Sequence, residues 1–150
     1  MMYEKYNIME IRFLPMGKNE FKTVEEAREF LRYQLPKTQD GDYWYQEKGI
    51  DSNGDLLVLF RIQGYIIGSG IFKEREKFPE AIKSDGKEYH GINRFYPETI
   101  FNIDPINLTE YQFIDKDLKR FTQSIKKTDM KYLNKILSLV HKKWKSYNEY

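Results

Sequence analysis

Two short stretches carry the side chains with the most chemistry to offer. One is Asp42–Gln46, DYWYQ; the other is Tyr89–Pro97, YHGINRFYP. They set Tyr43, Trp44, Tyr45, Tyr89, His90, Arg94, Phe95 and Tyr96 among polar donors. Flat apolar walls with a few edge donors suit a planar ligand, such as a base turned out of its stack. The same residues also suit the core of an aromatic-rich β domain, because aromatics dominate such cores. The residue types alone leave both readings standing. As a strand, DYWYQ puts Tyr43 and Tyr45 on one face and Trp44 on the other, so only one set faces a given cavity. Trp44 has the largest stacking surface and is the expected pocket wall.

Other chemistries have little to build on. The chain has no cysteine, hence no disulfide, thiolate nucleophile or thiolate-bound zinc. Of the two histidines, His90 is a candidate site residue and His141 reads as an exposed helical position. No H-E-x-x-H, P-loop or G-x-S-x-G occurs. Gly64, Gly68 and Gly70 do not form a dinucleotide fingerprint. Asp51, Asn53 and Asp55 alternate like a calcium loop, but Gly54 is misplaced and the twelfth position lacks glutamate. No catalytic residue, metal or cofactor is therefore assigned, and an enzyme is not the first expectation.

Charge supplies a second signal. Leu118 to Lys145 holds nine Lys or Arg and one acid, a net +8, while the whole chain is only +2. Such asymmetry marks a polyanion-binding face or a merely solvated lysine-rich helix. On the first reading Lys126, Lys127, Lys142, Lys143 and Lys145 would contact phosphates of DNA or RNA. The start of the chain, MMYEKYNIMEIRF, has charges among its apolar residues, unlike a signal peptide. No run approaches the roughly 20 apolar residues of a membrane helix. A cytoplasmic, membrane-free protein is expected; the composition is silent on oligomeric state.

The elements that must position these residues follow from periodicity. At 150 residues one domain, 1–150, is expected. Ile8–Leu14 alternates with period two, a half-buried strand. Thr23 and Glu26 form a capping box before a helix with Val24, Ala27, Leu31 and Leu35 on one face, stopped at Pro36. Asp55–Glu74, DLLVLFRIQGYIIGSGIFKE, is the most apolar and β-branched run, broken at Gln63-Gly64. It predicts a central antiparallel hairpin with Leu57 and Leu59 on one side and Leu56, Val58 and Phe60 on the other. Lys73–Lys87 reads as an exposed excursion with a short helix around Pro79–Ile82. Tyr89–Ile103 returns to strand, closed by Pro105. Thr109 is expected to cap a short helix, Leu118–Ser124 has no assigned state, and Thr128 is expected to cap a last helix. Its apolar stripe is Met130, Leu133, Ile136, Leu137, Val140 and Trp144. The class is α+β: a small, curved antiparallel sheet or barrel packed by a helix near each end.

The run DYWYQEKG, NGDLLVLF, a Gly turn, YIIGSGIF, YHGINRFYP and a late F-x-Q at Phe121 and Gln123 resembles the PUA-like superfamily, in particular its EVE and ASCH branches. The resemblance covers about Asp42 to Val140. It implies a curved β-barrel packed by helices, with a pocket between them that holds a modified nucleobase in EVE-type relatives. It further implies pocket roles for Tyr43, Trp44, Tyr45, Ser69 and Phe95, with Gln123 reading the base edge. Gly68 and Gly70 would leave room beside Ser69. The implied function is a non-enzymatic reader of a base in nucleic acid. Two alternatives accompany it. One is an ASCH-type enzyme acting on a nucleoside or its amide, for which Glu47 and Lys48 are the adjacent pair near the aromatics. The other is a protein-interaction module with an exposed aromatic surface.

Overall fold

The computed structural model describes residues 2–17, 19–52, 54–107 and 126–148. The described chain is α+β, with seven strands in one sheet. The elements run β1 (Glu10–Pro15), α1 (Val24–Glu29), a π turn (Phe30–Gln34), a 3-10 turn (Leu35–Lys37), β2 (Asp42–Tyr45), β3 (Leu56–Ile62), β4 (Tyr65–Ser84), β5 (Lys87–Phe95), a 3-10 turn (Pro97–Thr99), β6 (Phe101–Asn107), β7 (Lys126–Thr128), a 3-10 turn (Met130–Tyr132) and α2 (Leu133–Asn148).

The central hairpin is β3 with the first half of β4, joined at Gln63-Gly64 between the paired Ile62 and Tyr65. Gln63, not the glycine, takes the left-handed backbone at φ +53°. Every β3 residue is buried because both faces are covered. Leu56, Val58, Phe60 and Ile62 enter a core closed by Ala27, Leu31 and Leu35 of the first helical segment. Leu57 and Leu59 enter a second core with Ile136 and Val140 of α2. The period-two alternation thus sorts one strand between two cores.

The sheet differs from a closed antiparallel barrel in two ways. Its order is β2-β5-β4-β3-β1-β7, with β6 also on β4, and among the described residues this path does not close. In addition, β1 runs parallel to β3, Ile11 opposite Leu57 and Phe13 opposite Leu59. A parallel neighbour needs a long crossover, and the helical segment with β2 supplies it. The strand β4 pairs with β3, β5 and β6 and has register shifts at several points, irregularities of the kind that bend a strand.

The helix expected around Pro79–Ile82 is not formed. Residues 73–84 continue β4 as an exposed ribbon paired with β5. Asp85 and Gly86, at φ +52° and +76°, make the two-residue turn that closes it. Pro79 falls within the register shift between Lys77 and Ile82, where no ladder donor is required. Pro105 likewise does not end its strand: β6 runs through it to Asn107, and Pro105 itself has no register partner.

At the helices, Thr23 Oγ1 accepts from the Glu26 N–H at 3.1 Å, and Glu26 Oε2 accepts from the Lys22 N–H at 2.9 Å. Pro36 is absorbed in the 3-10 turn rather than ending the helix before it. Thr128 ends β7; Asp129 is the cap, its side chain accepting from the Lys131 N–H at 2.9 Å. The predicted stripe on α2 does face the second core. The expectations for Thr109 and for Leu118–Ser124 lie outside the described residues.

Candidate functional site

The loop between β1 and α1 delivers Glu20 and Phe21 to the end of β2. There the π turn adds Phe30 and Gln34, and the β4–β5 ribbon adds Lys87 and Tyr89. With Tyr43 and Trp44 these residues enclose a depression of about 360 Å³. The π turn is set by the Leu35 N–H donating to Phe30 O, a wider step than an α-helical bond.

The floor is a polar pair. The Tyr43 hydroxyl donates to Glu20 Oε2 at 3.3 Å. The Tyr43 ring is 3% exposed, lying parallel to Phe60 and edge-on to Phe30. Burial raises the Glu20 carboxyl above its ordinary range; the Tyr43 bond and the Lys87 charge oppose this, and the charge of Glu47 adds to it. Burial also pushes the Tyr43 hydroxyl well up, reinforced by Glu20. Tyr89 is raised by burial and then by the charges of Glu20 and Asp85.

Trp44 stands at the rim on the outer face of β2, 36% exposed. It meets Phe78 and Tyr89 edge-on, with centroids 5.0 and 5.7 Å away. Beyond it, Arg94 bridges Asp42 at 3.2 Å and Glu76 at 2.8 Å. The site therefore offers flat walls, a half-buried acceptor on a hydroxyl, and a cation at the edge. That set can stack a planar ring and accept hydrogen bonds from its amino or imino edge.

The predicted residues do not all converge here. Trp44 and Tyr43 both line the pocket although they stand on opposite faces of β2, so the expectation that only one face meets a given cavity does not hold at this strand end. Tyr45 is buried, and His90 is exposed on β5. Phe95 is wholly enclosed in the first core. Ser69 is buried on the other side of the sheet, 2.7 Å from the Tyr3 hydroxyl, which itself donates to Thr99 O at 2.8 Å. The space above Gly68 and Gly70 is taken by core groups: a side-chain carbon there would lie 2.9 Å from Leu31 Cδ1 and 3.4 Å from Ile100 Cγ1, respectively. Gln123 lies outside the described residues.

Of the basic residues, Lys142 and Lys145 are exposed on α2 and Lys143 is half-buried. Lys127 bridges Glu10 at 3.2 Å. Lys126 belongs to β7. Neither Glu47 nor Lys48 lines the pocket; the charge of Glu47 is felt at Glu20 and that of Lys48 at Asp51. Sequence reasoning missed Glu20, Phe21, Phe30, Gln34 and Lys87. Glu20 and Phe21 stand in the loop before the Thr23 cap, Phe30 and Gln34 on the helix that follows and Lys87 at the end of the excursion, and nothing in the sequence joins these three places. Among the described residues no cluster of His, Asp and Glu is arranged to hold a metal, and no helix is long and apolar enough to cross a membrane.

No protein-family model matches the chain, and no curated protein matches it. Two solved structures share its fold. The ASCH protein from Zymomonas mobilis is 13% identical, with a TM-score of 0.59 over 87% of this chain and 95% of that one. A Tyr-to-Phe mutant of that protein gives a TM-score of 0.57 at 13% identity, over 87% of this chain and 98% of the other. At this identity the likeness shows a shared fold alone, that of an ASCH protein.

Proposed function

We propose that the depression between Glu20, Tyr43 and Trp44 receives a base, modified as in EVE-type relatives, of a DNA or RNA strand. The observation that carries this reading is the half-buried carboxylate of Glu20, held by Tyr43 beneath the aromatic rim of Trp44 and Tyr89. A carboxylate accepts from exocyclic amino groups such as cytosine N4, and an indole stacks on any base. The volume of about 360 Å³ lies at the small end of ligand pockets, which suits one flipped base better than a larger cofactor. Exposed lysines of α2, Lys142 and Lys145, would add sequence-independent phosphate contacts. The ASCH-like fold is compatible with this reading.

Fluorescence tests it directly. Trp44 and Trp144 are the two tryptophans of the chain. In a Trp144→Phe background, a base stacking on Trp44 should quench the remaining emission. Titration with nucleosides and with short oligonucleotides that yields no quenching, in a variant shown to be folded, would remove the reading.

A catalytic alternative rests on one specific feature. Glu20 is raised by burial and by the charge of Glu47, with Lys87 close by. A carboxyl tuned upward in a pocket is suited to proton transfer. If the pocket acts on a nucleoside, turnover should follow the Glu20 titration, and product analysis of incubated nucleosides separates this from simple binding.

A further inference from the structure

Residues 2–8, which precede β1, lie over the second core and form no strand. Among the described residues, the first backbone bond from this part of the chain to the rest of the fold runs from the Met9 N–H to Asp55 O, at 2.9 Å. Before it, the Tyr6 N–H bonds the Tyr3 carbonyl of its own turn at 3.1 Å. Two phenols hold the segment down. The Tyr6 hydroxyl donates to Glu98 Oε1 at 2.7 Å on the surface, its ring 5.1 Å from that of Tyr96. The Tyr3 side chain enters the molecule and is buried, its ring 5.5 Å from that of Phe101. A segment without ladder bonds sits at the low-stability end of a fold and opens locally.

The slot that receives Tyr3 is fitted to one hydroxyl. The Tyr3 hydroxyl donates to Thr99 O at 2.8 Å, so its single proton is used and the Ser69 hydroxyl, 2.7 Å away, donates to it. Burial pushes the Tyr3 hydroxyl up, which keeps that proton in place. Thr99 is itself fixed: its Oγ1 donates to Tyr96 O at 2.6 Å and accepts from the Ile71 N–H at 2.8 Å. The end of the slot is therefore a rigid acceptor beside a donor. Space lies open on both flanks of the segment, about 380 Å³ toward Glu98 and Phe101 and about 270 Å³ toward Leu133, Leu137 and His141 of α2. Met2, Tyr3, Glu4 and Tyr6 border both. A residue that only fills a core leaves no such room, because interiors are close-packed. His141, expected from the sequence to be exposed, is half-buried there. Its Nδ1 is enclosed and has no hydrogen-bond partner among the described residues. An unpaired enclosed nitrogen carries a free-energy cost that a ligand group can remove.

We infer that residues 2–8 are a strap over a second ligand site, beside β6 and α2, that takes a hydroxyaromatic molecule. The ligand's phenol replaces that of Tyr3 at Ser69 and Thr99, and its apolar remainder runs along Leu133 and Leu137 toward His141. This site lies across the sheet from the Glu20 pocket and is independent of it. A ring without the hydroxyl would leave Thr99 O and Ser69 unpaired in a buried place, and sites that bond a hydroxyl reject such analogues. Tyr3 is the ligand's competitor, so the apparent affinity is set by the fraction of molecules whose strap is open.

The test uses the full chain and two probes, para-ethylphenol and ethylbenzene, with imidazole NMR and trypsin as readouts. Para-ethylphenol should shift the His141 resonances saturably and leave those of the exposed His90 unmoved. It should also speed cleavage after Lys5, an exposed strap residue, read as the fragment that begins at Tyr6. Ethylbenzene should bind about ten-fold more weakly. Tyr3→Phe keeps the ring and loses both bonds of the hydroxyl, so its strap should be open about ten-fold more often. Basal cleavage after Lys5 and affinity for para-ethylphenol should then rise by the same factor, since both follow the open fraction. Tyr6→Phe releases Glu98 without touching the slot. It should raise both quantities together by a smaller factor, and it serves if Tyr3→Phe fails to fold. Three results would overturn the inference: His141 unmoved by para-ethylphenol in wild type and variants, ethylbenzene bound as tightly as the phenol, or a variant whose cleavage rises while its affinity for para-ethylphenol stays at the wild-type value.

Discussion

The Tyr43 hydroxyl and the Glu20 carboxylate meet at 3.3 Å although 23 residues separate them in the chain. One comes from a strand facing the first core, the other from the loop before α1. Their contact makes the floor of the pocket polar where its walls are aromatic. It also ties the ionisation of the floor to the integrity of the loop.

Glu20→Gln should stabilise the fold at neutral pH. The folded-state pKa of Glu20 lies above its unfolded value because burial disfavours the charge. Between those two values the native state binds more protons than the unfolded one, so stability falls as pH rises through the window. The neutral amide escapes that loss. Melting curves should show the variant above wild type at pH 7 and level with it below the ordinary carboxyl range. A variant equally altered at both pH values would mean that Glu20 is not ionising against burial.

Ser69→Ala should cost about 1–3 kcal/mol of stability, because its hydroxyl partners Tyr3 in a buried network. Nucleoside and oligonucleotide affinity should be unchanged, since Ser69 lies across the sheet from the Trp44 pocket. Chemical denaturation and a binding titration on the same variant read both quantities. A change in affinity without loss of stability would return Ser69 to the binding site.

How far the sequence reaches depends on whether a residue's partners are local in pattern. The two-sided apolar run Leu56–Ile62 declares its strand and its division between two cores, because period two is intrinsic to the backbone. The Thr23 cap is equally local. The β4–β5 ribbon is different: Lys73–Lys77 is exposed on both sides, so no apolar alternation marks it, and Pro79 adds a false stop. The parallel pairing of β1 with β3 is a long-range choice that neither strand encodes alone. Trp44 was legible as an aromatic on the opposite face from Tyr43 and Tyr45. Glu20 was not, since a glutamate in a polar loop acquires its character only from Tyr43, Lys87 and Glu47.

Gln63→Gly should stabilise the central hairpin by about 0.5–1 kcal/mol. Gln63 holds φ +53°, a left-handed conformation that costs a side-chain-bearing residue about 1–2 kcal/mol. Glycine removes most of that cost and returns part of it as unfolded-state entropy. Its side chain is exposed, so no packing is lost. Equilibrium denaturation in urea should show a higher midpoint with the same slope. A lower midpoint would mean that the Gln63 side chain contributes to the turn.

Trp44→Ala decides between the rim of a binding site and a structural aromatic. Trp44 is 36% exposed, with its ring against Phe78 and Tyr89 rather than within either core. Its removal should cost roughly 1 kcal/mol, the scale of edge-on aromatic contacts at a surface. A core tryptophan would cost about 3–5 kcal/mol. If a base stacks on it, the variant should bind oligonucleotides about ten-fold to a hundred-fold more weakly, following a stacking contribution of roughly 1–3 kcal/mol per base. The salt dependence should stay as in wild type, because no phosphate contact is removed. Replacing Lys142 and Lys145 by Gln should do the opposite, flattening the salt slope while leaving base preference intact. Melting temperature, affinity and salt slope, measured on both variants, place stacking and charge on separate axes. A Trp44→Ala protein with wild-type affinity would show that the aromatic rim shields the ribbon and holds no base.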